Sequence, residues 1–153
     1  MSAKSRCFLG CLFSLGCAGR PPGVNSPAAP VLLSVGGTYQ TAVTLLTSNC
    51  GTVTIQPNPT IVTHTVGATT VMLTHAGNQY SGAVQGNGSF TTTPKVLSAG
   101  GETFTITIAG QFSTAGLDAQ VTVDDLRPGA ATACRYVVRW LGTKDGSPNV
   151  IPG

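Results

Sequence analysis

The chain has 153 residues, enough for one domain with tails, and only 8% of them are charged, against about 25% in an ordinary soluble domain. A hydrophobic fraction of 41% supports a real core and excludes disorder for the main body, which needs low hydrophobicity and high charge. The formal charge of +3 is spread without any block of like sign, which argues against nucleic acid as a partner.

Lys4 and Arg6 precede a short apolar run, Cys7-Phe8-Leu9-Gly10-Cys11-Leu12-Phe13-Ser14-Leu15, that ends at Gly16-Cys17. A basic start, a greasy stretch and a small residue before a break is the layout of an export signal, so residues 1–17 are read as a signal peptide. The run is about half the ~20 residues that a membrane-spanning helix needs. Residues 18–30 hold Pro21, Pro22, Pro27 and Pro30 with no periodic apolar pattern and read as a Pro-rich linker.

From residue 31 to 144 the pattern has period two. Tyr39, Thr41, Val43 and Leu45 alternate with Gln40, Ala42 and Thr44. Phe104, Ile106, Ile108, Gly110 and Phe112 share one face, as do Leu117, Ala119, Val121 and Val123, and Tyr136, Val138, Trp140 and Gly142. Side chains on a strand alternate between faces, so each set predicts one apolar and one polar side. Strands are expected near 38–48, 52–65, 70–75, 79–85, 89–93, 102–112, 117–124 and 133–143. Pro57 and Pro59 cannot donate to a ladder and mark the second as broken or at an edge. Ala76-Gly77-Asn78, Gly86-Asn87-Gly88 and Ala99-Gly100-Gly101 supply hairpin turns between these runs, and Asn87-Gly88-Ser89 is read as a turn before it is read as a glycosylation sequon. Connections this short pair neighbours antiparallel. Eight such strands close economically into a small up-and-down β-barrel, the expected fold; an immunoglobulin-like β-sandwich is the alternative. Residues 145–153 read as a flexible tail.

Outside the signal only Cys50 and Cys134 remain. In an up-and-down barrel with an even strand number the first and last strands are neighbours, so the end of one lies beside the start of the other. A disulfide there would staple the seam, worth roughly 4–5 kcal/mol by chain entropy. Cys134 shares the parity of Tyr136 and Trp140, whereas Cys50 is out of phase with Tyr39 and Val43; a bulge before Cys50 restores the phase.

Little else points to chemistry. His64 and His75 have no third ligand and read as solvent-facing, so no metal is assigned. Asp124-Asp125 reads as the start of a turn. No Gly-x-Ser-x-Gly elbow occurs and no cofactor motif is present, so the chain is read as a non-enzyme. Tyr39, Phe104, Phe112 and Trp140 are candidates to line a ligand cavity; the same rings can instead fill the barrel.

Two resemblances rest on these residues. Leu15-Gly16-Cys17 resembles the end of a bacterial lipoprotein lipobox, with Ser14 where that box carries an aliphatic residue. The resemblance implies lipidation of Cys17 and attachment to a membrane, as an outer-membrane lipoprotein of the cell envelope; cleavage near Ala18 and secretion is the rival. Gly37-Thr38-Tyr39 at the first strand and Arg139-Trp140 in the last resemble the corresponding strands of lipocalin-like and avidin-like barrels, over residues 35–143. Those families carry Gly-x-Trp where this chain has Gly-x-Tyr. That resemblance implies binding rather than catalysis, with a small apolar ligand or a protein as partner. A structural or adhesive surface module is the second expectation.

Overall fold

The computed structural model describes residues 29–153. The signal and lipidation readings, and all of the linker but its last two residues, lie outside that range. Within it the chain forms nine strands: β1 (Gly37–Ser48), β2 (Thr60–Thr63), β3 (Thr70–His75), β4 (Asn78–Val84), β5 (Ser89–Thr92), β6 (Lys95–Ala99), β7 (Glu102–Ser113), β8 (Gly116–Leu126) and β9 (Cys134–Lys144). Neighbours pair antiparallel from β1 round to β5, β5 pairs with β7, and β9 returns to β1. The result is a closed eight-stranded antiparallel barrel with β6 as one extra strand, which excludes the sandwich.

β8 runs along the whole of one edge of β7, so β5 and β6 must share the other edge. They are two halves of one bent strand, parted at Thr93-Pro94. Pro94 has no N–H for a ladder, and Thr93 turns instead to the Ser81 carbonyl with both its N–H and its hydroxyl. β6 was missed in the sequence because five residues flanked by Pro94 and Gly100 carry almost no alternating signal.

The wall is uneven. β1, β7, β8 and β9 have 12, 12, 11 and 11 residues, whereas β2 to β5 have 4, 6, 7 and 4. β2 meets β1 only at Gly37–Tyr39, and β5 meets β7 only at Ala109–Gln111. The four long strands therefore rise above the short ones, which leaves one end closed and the other open on one side. At the open end residues 49–59 return from β1 to β2 without forming a strand. The expected strand 52–65 thus shrinks to Thr60–Thr63, because Pro57 and Pro59 cannot donate.

Closure is tight where Gly82 lets β4 lie against β5: a β-carbon there would meet the Thr91 carbonyl. The Asn87-Gly88 turn forms as expected, with Asn87 Oδ1 accepting from the Ser89 N–H and hydroxyl and Gly88 at φ 85°.

The closed end is plugged by chain on both sides of the barrel. Leu33 and Val35 are buried beneath it, and Ser34 pairs with Val150 through two backbone hydrogen bonds of 2.9 Å. Residues 145–153 are therefore not a loose tail. Asn149 is buried, with its amide donating to the Ser113 carbonyl at 2.7 Å, and Ile151 packs on the core. Proline and glycine content suggested looseness; one well-bonded asparagine overrides it.

Cys50 and Cys134 form the disulfide, with Cα atoms 5.1 Å apart and a sequence separation of 84. The expected phase shift is present: β1 slips against β9 between Leu45 and Thr47. Since the bond closes so long a loop, reduction is expected to lower the unfolding free energy by about 4 kcal/mol. Thermal melts with and without reductant test this; an unchanged midpoint would contradict it.

Candidate functional site

The interior is built in three storeys, each set by the inward parity of its strands. In the lowest, Tyr39, Phe90 and Phe112 pack ring to ring, with centroids 5.9 Å apart for Tyr39–Phe112 and 4.7 Å for Phe90–Phe112. Tyr39 is wholly buried, so its hydroxyl needs partners. It lies 2.7 Å from the Val35 carbonyl and 2.8 Å from Asn149 Oδ1, and its one proton serves these two acceptors. Lys144 Nζ donates to the same Asn149 oxygen at 2.7 Å. Burial pushes the Tyr39 phenol up to about 12.

The middle storey crosses the barrel from β3 to β9. His75 stacks on Trp140 at a centroid distance of 4.0 Å. Its Nδ1 is 2.9 Å from the Thr60 hydroxyl, which receives the Thr41 hydroxyl at 2.8 Å. Burial lowers the His75 imidazole below its ordinary 6.5, so it is an uncharged plate here. The expectation of a solvent-facing His75 is corrected: the apolar face of β3 carries it inward, and Thr60 meets its nitrogen. His64 sits apart, in part-buried surroundings, with Nε2 3.0 Å from the Ala68 carbonyl. The two histidines do not converge.

The top storey is the open mouth. Val43, Phe104, Ile106 and Tyr136 from the long strands, with Ile55 from the returning segment, are half-buried and packed against the core beneath. Tyr80 reaches up from β4. The Tyr80 and Tyr136 phenols are both raised chiefly by burial; each phenolate would disfavour a neighbouring charge, Tyr136 for Tyr80 and Asp125 and Glu102 for Tyr136. At the rim the pairing registers place Leu97, Phe104, Asp125 and Cys134 in one row across four strands.

Asp124 and Asp125 end β8 rather than start a turn, and strand alternation separates them. Asp124 faces out and pairs with Arg135 at 2.7 and 3.0 Å, while Asp125 faces in and is buried. Arg127 Nε donates to Asp125 Oδ2 at 3.0 Å; Oδ1 has no partner among the described residues. The Cys50 and Cys134 sulfurs and the Asp125 carboxylate lie within 4.8 Å of one another, but sulfurs bonded to each other are not thiolate ligands.

Of the four rings expected at a ligand cavity, Tyr39 and Phe112 fill the closed end and Trp140 the middle, while Phe104 alone stands at the mouth. Parity showed that all four point inward, but not the height at which each sits. Val43, Ile55 and Ile106 were not singled out in the sequence. The unequal strand lengths, which turn inward residues into mouth residues, could have found them.

Two pH effects follow. Tyr39 holds its proton more tightly folded than unfolded, so its contribution is complete below pH 10 and is lost as pH rises toward about 12. Tyr39→Phe should lose about 1–3 kcal/mol at neutral pH, where Asn149 and Val35 are left short of a donor, and should show a shallower alkaline decline. Denaturant midpoints from pH 8 to 12 measure it; an identical alkaline slope in the variant would contradict the assignment. His75 behaves oppositely: its folded-state value is depressed, so its contribution is present above 6.5 and is lost as pH falls below. His75→Gln should flatten the acid limb below about pH 6.5, read from the same midpoints against pH.

Compared with family models, with curated proteins and with solved structures, the chain matches none.

Proposed function

We propose that this chain is an exported, non-enzymatic binding module of a bacterial cell envelope whose open barrel mouth takes the apolar part of a small ligand. One observation carries the reading. Where the long strands rise above the short ones, Val43, Ile55, Phe104, Ile106 and Tyr136 are only half-buried and pack against the same core. Concave apolar surface with a few polar groups nearby is what small-molecule sites offer, and here the phenols of Tyr80 and Tyr136 supply the polar element. The filled lower storeys make this a shallow mouth site rather than an enclosed cavity. Export is supported by the disulfide, which persists in oxidising compartments, and by the layout of residues 1–17; lipid on Cys17 would tether the module to a membrane.

A non-catalytic reading is supported by the Thr60–His75 hydroxyl–imidazole pair of the interior. Thr60 is wholly buried and Trp140 covers the face of His75, so neither is open to a substrate. A second reading, a protein partner at the same mouth, draws on the far edge of β6, which pairs only with β7 and exposes Val96.

The experiment is a titration with N-phenyl-1-naphthylamine, a neutral apolar fluorophore. Saturable binding is expected with a dissociation constant of roughly 10–100 µM, as a half-open apolar site allows. Phe104→Asp should weaken it about tenfold or more, and Leu141→Asp on the outer wall should leave it unchanged. No saturable binding, or equal binding to Phe104→Asp, would overturn the proposal.

A further inference from the structure

We propose that the seam disulfide is a thiol-exchange site with a charge filter, in which Asp125 admits cationic and neutral thiols and turns away anionic ones. The inference is independent of any ligand at the mouth.

Asp125 Oδ2 lies 3.8 Å from Cys134 Sγ, and the Asp125 side chain is only 4% exposed. Its carboxylate therefore stands where a nucleophile must arrive. The surroundings do not cancel it. Arg127 Nε sits 3.0 Å from Asp125 and 3.7 Å from Glu102, so one guanidinium serves two carboxylates. Arg135, next to Cys134 in the chain, is already paired with Asp124 at 2.7 Å. Together these five groups leave one negative charge beside the sulfurs. Asp125 Oδ1 is buried and has no hydrogen-bond partner among the described residues.

Exchange proceeds by attack of a thiolate on one sulfur of the bond. Cys50 is 5% exposed while Cys134 is half-buried, so the accessible target is Cys134 Sγ. The incoming RS⁻ forms an RS–Sγ bond there as the Cys50–Cys134 bond breaks. The electron pair leaves on Cys50 Sγ, which takes a proton from water. A second RS⁻ then attacks the outer sulfur of the mixed disulfide, which releases RSSR and the Cys134 thiolate, protonated in turn. Two thiols are oxidised to one disulfide and the protein bond becomes two thiols. In the first step the attacking sulfur comes up beside Asp125, so a reagent carrying further negative charge meets added repulsion and one carrying an ammonium is favoured. Attack at Cys50 offers no escape, since the leaving charge would then fall on Cys134, next to the same carboxylate. Asp125 is a positioning charge here: it touches no reacting bond but sets which thiol arrives.

The test uses the oxidised protein and three thiols of different charge: cysteamine, 2-mercaptoethanol and 2-mercaptoethanesulfonate. Free-thiol release is followed, with each rate divided by the reagent's thiolate concentration. At low salt the wild-type order should be cysteamine, mercaptoethanol, mercaptoethanesulfonate, with the extremes about tenfold or more apart. Asp125→Asn should speed all three and bring the extremes within about twofold, whereas Asp118→Asn, on the outer wall, should keep the wild-type ratio. About 1 M NaCl should narrow the wild-type ratio too, and this arm decides alone if Asp125→Asn does not fold. Equal rates for the three thiols in the wild type, or a ratio indifferent to both Asp125→Asn and salt, would overturn the proposal.

Discussion

A sheet of short antiparallel strands has two edges of unpaired backbone, and in a chain with 8% charged residues there are few lysines to guard them. The ladder between β1 and β9 removes that liability by joining the first strand to the last from Tyr39–Lys144 up to Ser48–Tyr136. The remaining architecture hangs on this seam. It is fastened at both heights: by the disulfide at the open end, and at the closed end by Asn149, which links Tyr39, Lys144 and the β7–β8 turn. One fastener is covalent and indifferent to pH. The other is a buried polar network whose strength depends on a phenol keeping its proton.

Between these fastenings the interior grades from closed to open. Rings pack on rings at the base, a neutral imidazole lies flat on an indole in the middle, and half-exposed apolar side chains finish the mouth. This gradient follows from strand length alone. Period-two alternation turns every second residue inward, and whether an inward residue is sealed or left open depends on whether the opposite wall reaches its height. Ile108 and Ile106 make the point: the same side chain two residues apart on one face of β7 is wholly buried in the first case and half-buried in the second.

That distinction marks how far the sequence could be read. The barrel, its strand order, the staple and the slip before Cys50 were legible because alternation, turn residues and cysteine parity are local or follow from pairing first strand to last. What stayed hidden depended on three-dimensional partners. His75 looked like a surface residue among threonines until Trp140 lay over it from across the barrel. The Pro/Gly-rich residues 145–153 looked loose until Asn149 met Tyr39 and Ser113. Asp124 and Asp125 looked like one acidic pair, yet the strand sends one to an outer arginine and the other in beside a sulfur.

The plug at the closed end has a geometric consequence. Residues 29–36 pass under the barrel before β1 begins, and the Ser34–Val150 bridge brings both ends of the described chain to that same side. A load applied from the N-terminal side would reach the base, at the end away from the mouth. Such a load would meet the Ser34–Val150 bridge and the buried Leu33 and Val35 before the ladders of the eight-stranded ring. The chain thus enters the barrel at its plug, at the end opposite the mouth.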